Sequence, residues 1–118
     1  MSTAIEELLT ACLHRVFGER DEEKRISAIA EILAEDIVFS DPDGIFRGHQ
    51  AVNERVRSLL EGAPGFVFSE AGPVREVRDL GVLEWGFGPE GQLPVVTGMD
   101  VVTVVDGRIA TLHTLLIS

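Results

Sequence analysis

The feature that most constrains this chain is a change of hydrophobic period near its middle. Up to about residue 62 the apolar residues recur at steps of three and four, whereas from Phe66 onward they form short runs broken by Gly and Pro. Helices gathered at one end of a chain and strands at the other predict an α+β domain, because each kind of element must bury its apolar face against the other. In the first helix Ile5, Leu8, Leu9, Cys12, Leu13, Val16 and Phe17 share a face, Thr3 and Glu6 have the spacing of a capping box, and Gly18 ends the helix. A second helix starts from the N-cap Asp21 and carries Ile26, Ile29, Ala30 and Leu33 on one side. A third follows Gly48, with Val52, Val56, Leu59 and Leu60 aligned, and stops at Gly62 and Pro64.

Between the second and third helices, Ile37-Val38-Phe39 reads as a short strand that runs into the turn Asp41-Pro42-Asp43-Gly44. Further strands are expected near 66 to 70, 73 to 79, 81 to 87, 95 to 105 and 108 to 117, the last two joined by the hairpin turn Asp106-Gly107. Apolar residues occupy both faces of these strands. That pattern predicts a sheet covered on one side by its own helices and on the other by a second copy of the chain, a homodimer.

Composition narrows the function. At 118 residues the chain holds one domain, residues 1–118, and its 45% hydrophobic share suffices for a core. Ten basic against twenty acidic residues leave a net charge of −10, which repels nucleic acid and anionic membrane surfaces. With the single cysteine Cys12 there is no intrachain disulfide, and with neither a signal-peptide pattern nor an apolar run of spanning length the expectation is a cytoplasmic protein. Phosphate-loop, serine-hydrolase and zincin motifs are absent. His14, His49 and His113 fall on three separate elements, so no metal site is expected.

Two aspartates stand in strand sequence that disfavours them, Asp41 after Ile37-Val38-Phe39 and Asp100 within Thr97-Gly98-Met99-Asp100-Val101-Val102. A carboxyl that faces the interior loses hydration and its pKa rises, so an inward Asp100 is a proton or hydrogen-bond donor, and an ionised Asp41 at the mouth of the same cavity is a base. The structural alternative for Asp41 is the first position of a type I turn, and for Asp100 an outward or interface position. A two-residue turn at Asp106-Gly107 pairs Val105 with Arg108 and sets Asp100 opposite His113; a three-residue loop with a glycine bulge sets it beside Leu112.

The order of elements, the run Leu33-Ala34-Glu35-Asp36-Ile37-Val38-Phe39-Ser40-Asp41-Pro42, the following Phe46-Arg47-Gly48-His49-Gln50-Ala51-Val52, and the hairpin from Gly98-Met99-Asp100-Val101 to Asp106-Gly107-Arg108-Ile109 together resemble the nuclear transport factor 2-like superfamily. Within it the chain is most similar to the SnoaL-like polyketide cyclase and ketosteroid isomerase branches. The resemblance implies three helices on the concave side of a curved, mostly antiparallel sheet, an apolar pocket in the resulting cone, and dimers through the sheet. It implies Asp41 as general base and Asp100 as a protonated donor to an enolate. The candidate ligand pocket is drawn from Phe17, Phe39, Trp85 and Leu112, together with His113, Thr114 and Leu116, with Trp85 or His113 a further donor if the strand register brings it inward. One departure is chemical: the tyrosine that supplies the second oxyanion donor in ketosteroid isomerases is matched by Phe17, and the chain contains no tyrosine. Loss of one preorganised donor costs about 10²- to 10³-fold in rate, which argues against steroid isomerisation. The late-strand aspartate of the related epoxide hydrolases is matched by Thr114, which removes that reaction's base. The implied function is thus a cofactor-free isomerase or cyclase acting on a small apolar carbonyl compound. The alternatives are a non-catalytic ligand-binding protein or a dimeric interaction module.

Overall fold

A computed structural model describes residues 2–118. Helix α1 (Ala4–Ala11) continues as a π-helical segment (Cys12–Phe17), and α2 (Glu22–Ile32) and α3 (Gly48–Glu61) complete the helical set. The strands are β1 (Leu33–Asp41), β2 (Gly44–Arg47), β3 (Phe66–Glu70), β4 (Arg75–Val77), β5 (Leu80–Pro89), β6 (Val96–Val105) and β7 (Arg108–Leu116). They form one curved, open sheet in the order β2-β1-β7-β6-β5-β3, with β4 paired to the other end of β5. Every pairing is antiparallel except β1 with β7, and that parallel contact draws the start of the sheet against its last strand.

Local chemistry explains most boundaries. The Thr3 hydroxyl accepts from the Glu6 amide at 3.1 Å, and Asp21 accepts from the Lys24 amide at 3.0 Å, so both expected N-caps form. The first helix is not α-helical throughout as the spacing implies. The Gly18 amide reaches back five residues to the Leu13 carbonyl at 2.9 Å, and the wider turn gathers Cys12, Leu13, Val16 and Phe17 into the interior. Leu33, read from the sequence as the end of the second helix, is instead extended (φ −100°, ψ 138°) and opens β1. Strand β2, too short to carry a period of its own, exists because the Asp41 turn folds the chain back onto β1.

The helices lie on the concave face. Their side chains Leu9, Leu13, Val16, Ile29, Ile32, Val52 and Val56 form one core with Ile37, Leu83, Val102, Ile109 and Leu112 of the sheet. At Gly81 a Cβ would run into Ile5 and Leu9, so the bare backbone there is what lets α1 approach β5. Between α2 and α3 the buried Arg25 donates from Nε to Asn53 Oδ1 at 2.7 Å and from Nη1 to the Glu19 carbonyl at 2.8 Å. A buried guanidinium left unpaired would be strongly destabilising, so this network fixes the position of α3 over the sheet.

The final hairpin takes neither of the two registers expected from the sequence. Asp106 (φ 50°) and Gly107 (φ 79°) make the two-residue turn with both central residues left-handed, and Val105 pairs with Arg108. A bulge then intervenes: Val104 pairs with Ile109 but Thr103 with Thr111, so Ala110 is the extra residue. The slip sets Asp100 opposite Thr114, and His113 opposite Val101.

Candidate functional site

A cavity of about 510 Å³ opens between the π-helical segment, α3 and the concave face of β3, β5, β6 and β7. Its volume falls within the range of small-molecule sites. The wall is aromatic. Phe68 and Phe87 are cross-strand partners stacked at 4.2 Å between ring centres, Phe66 meets Phe87 edge-on at 5.2 Å, and Trp85 meets Phe68 at 5.4 Å. Phe17 closes the sequence of rings, 6.4 Å from Phe68.

Asp100 stands on the floor. It is 3% exposed, and its Oδ1 accepts two hydrogen bonds, from Trp85 Nε1 at 3.0 Å and from Thr114 Oγ1 at 2.8 Å. Among the described residues no group donates to Oδ2, and the carboxyl lines the cavity. Burial pushes the Asp100 pKa up to about 6, against the opposing pull of the Thr114 and Trp85 hydrogen bonds. The neighbouring Cys12 is wholly buried, and its thiol is held well above its ordinary range by desolvation first and the Asp100 charge second. Trp85 is itself set by packing, because a Cβ at Gly98 would land on its indole ring.

Asp41 stands at the rim in another environment. Its Oδ1 accepts from the Asp43 amide at 2.8 Å and the Gly44 amide at 3.1 Å, which realises the turn chemistry. Its Oδ2 accepts from Arg55 Nε at 2.8 Å, while Arg55 Nη2 reaches Asp43 Oδ2 at 2.8 Å and the guanidinium lies 5.2 Å from the Phe46 ring centre. Behind the rim, Arg20 donates to the Leu60, Ala63 and Phe66 carbonyls at 2.9, 2.7 and 2.9 Å, pinning the connection from α3 to β3 that forms part of the wall.

The structure thus gathers Asp41, Asp100, Phe17, Trp85, Thr114 and Leu116 around one cavity. The other residues expected in the pocket lie elsewhere. Phe39 and Leu112 sit in the core, 1% and 0% exposed, beneath the cavity lining. His113 is exposed, because strand alternation turns it away from the face that carries Leu112 and Thr114. Sequence reasoning missed Arg55, Ser58 and Leu59 of α3 and its C-cap Gly62, all of which line the cavity. Their i, i+3, i+4, i+7 spacing was a readable signal of a second helical face. Among the described residues no group of three or more His, Cys, Asp or Glu could hold a metal ion, and no helix is long and apolar enough to cross a membrane.

Comparison with known families follows this geometry. The SnoaL-like domain model matches residues 13–112. The chain belongs to the SnoaL-like domain family. A proposed isomerase of the SnoaL-like family from Agrobacterium tumefaciens superposes with a TM-score of 0.91 at 23% identity, over 99% of this chain and 100% of that one. A proposed polyketide cyclase from Sinorhizobium meliloti gives 0.72 at 19%, over 96% and 99%. A proposed ketosteroid isomerase from Kribbella flavida gives 0.73 at 14%, over 98% and 78%. At these identities the likeness establishes the SnoaL-like fold, which hosts more than one chemistry. No curated protein matches the chain.

Proposed function

We propose that this SnoaL-like protein is a cofactor-free enzyme of the isomerase or cyclase type, acting on a small apolar carbonyl compound in the aromatic cavity, with Asp100 as the group that moves the proton. The observation that carries the reading is the buried Asp100 carboxyl in the lining of an aromatic cavity, with Trp85 and Thr114 both on Oδ1 and, among the described residues, no donor on Oδ2. With a pKa of about 6 the group is mostly carboxylate at neutral pH yet protonates readily, which suits a proton shuttle better than a permanently neutral donor. Oδ2 takes the proton from the carbon beside the carbonyl and the electron pair moves to the carbonyl oxygen; in a substrate with a neighbouring carbon–carbon double bond the acid so formed returns the proton at the far end of that bond as the carbonyl reforms and the double bond shifts into conjugation. Ser58, which lines the cavity, is the group assigned to donate to the developing oxyanion, since Arg55 is already engaged by Asp41 and Asp43. Asp41, with both oxygens engaged by the turn and by Arg55, acts here as an anchor of the rim.

The test is proton exchange. Enolisable aryl ketones incubated with the protein in heavy water should gain deuterium beside the carbonyl, followed by mass spectrometry, and Asp100→Asn should abolish the gain. Full exchange in that variant would remove Asp100 from the chemistry.

A second reading, ligand binding without turnover, draws on Phe17, which supplies an apolar ring in place of a donor. Tight binding of a ketone that never exchanges would favour it. A closed interaction module fits less well, since about 510 Å³ stands open. For the assembly we propose a dimer through the face opposite the cavity, where Val82, Met99 and Val101 are half-buried and Leu115 and Ile117 are more than half exposed, at 54% and 53%. Light scattering on the wild type should give twice the chain mass, and Val101→Glu should give the monomer.

A further inference from the structure

We infer that the substrate carries no anionic group, and that the cavity itself excludes carboxylates and phosphates; this rests on the reading of the cavity as the substrate site. Four charged or titratable residues line it: Asp41, Asp43 and Arg55 at the rim and Asp100 at the floor. The one cation among them is overmatched. Arg55 gives Nε to Asp41 and Nη2 to Asp43, each at 2.8 Å, so a single positive charge is shared between two carboxylates before any ligand arrives. The guanidinium of Arg20, behind the rim, donates to the Leu60, Ala63 and Phe66 carbonyls.

An anion that passed the rim would therefore meet a net negative ring and then the unshared Asp100 oxygen, in a space walled by Phe66, Phe68, Trp85 and Phe87. It would surrender its hydration without gaining a counter-charge. The same walls offer a neutral ring system stacking surface at no electrostatic cost. Selection is by exclusion of the wrong partner as much as by attraction of the right one. The chain's net charge of −10 acts in the same sense at longer range.

Two ligands with one ring system isolate the charge: 2-acetylnaphthalene, which is neutral, and 2-naphthoate, which is anionic at pH 8. Equilibrium dialysis should show the ketone binding at least tenfold more tightly to the wild type. Asp100→Asn should shrink that preference by threefold or more. Asp43→Asn, at a side chain 76% exposed, should raise naphthoate affinity by threefold or more, because it removes one of the two carboxylates that share Arg55. Naphthoate binding as tightly as the ketone would overturn the inference and make Arg55 Nη1 an anion anchor, leaving the substrate-site reading intact. Binding of neither would overturn that reading, and the inference with it.

Discussion

The floor and the rim of the cavity each hold an aspartate that strand sequence disfavours, and they treat it oppositely. At the rim, Asp41 receives two backbone amides and a guanidinium that it shares with Asp43, so both oxygens are occupied. At the floor, Asp100 receives two neutral donors on one oxygen, is removed from water, and has no donor among the described residues on the other. In the proposed mechanism the same side chain is a structural anchor in one place and the proton-moving group in the other. The number and charge of the donors around a carboxylate decide which, more than its proximity to a pocket does.

That contrast is broken or sharpened most strongly by paired isosteric changes. Asp100→Asn keeps an acceptor oxygen for Trp85 and Thr114 but cannot shuttle a proton, and ketone exchange should fall by about 10²-fold or more. Asp41→Asn should cost about tenfold or less in exchange, and its larger effect should be on stability, about 1–3 kcal/mol by urea titration, because Arg55 loses a charged partner. If exchange falls further in Asp41→Asn than in Asp100→Asn, the assignment of roles is reversed.

Stability against pH gives the next largest effect. Burial lifts the folded pKa of Asp100 from the ordinary aspartate value of 3.8 to about 6, so the native state binds the proton more tightly than the unfolded chain. Its stabilising contribution is complete below the unfolded pKa and is lost as pH rises through about 6, a change of about 2 kcal/mol between pH 4 and 7. Subtracting the pH profile of Asp100→Asn from that of the wild type should leave a falling difference over this window. A flat difference would mean that the floor is wetter than its geometry implies.

Smaller again is the effect of the supporting residues. Gly98→Ala should displace the indole of Trp85, the chain's only tryptophan, and shift its emission to the red while weakening the hold on Asp100. Arg20→Ala should leave kcat within about twofold and raise KM, with faster amide exchange across residues 62–66, because it frees three carbonyls of the wall. Unchanged amide exchange there would show that the connection holds without Arg20.

How much of this was legible in the sequence follows from the range of each interaction. The N-caps Thr3 and Asp21, the Asp41 turn and the Asp106-Gly107 hairpin depend on neighbours within a few residues, and each formed as its spacing implied. The bulge at Ala110 leaves no local mark, yet it exchanges His113 for Thr114 beside Asp100 and so alters the chemistry of the floor. The hold of Arg55 on Asp41 spans fourteen residues of sequence and depends on how α3 lies over the Asp41 turn, which the buried Arg25 and Asn53 help to set. That placement belongs to the tertiary structure. The cavity face of α3 was the one readable signal passed over, since Arg55, Ser58, Leu59 and Gly62 keep helical spacing beside the core stripe of Val52 and Val56.

The most direct test of the account is a carbon-13 NMR titration of the aspartate carboxyl groups, with Asp100→Asn identifying the Asp100 signal. The account predicts a midpoint near 6 for Asp100. A midpoint near the ordinary carboxylate value of about 4 would contradict it, since it would place that carboxyl in water and remove the reason for assigning it the proton.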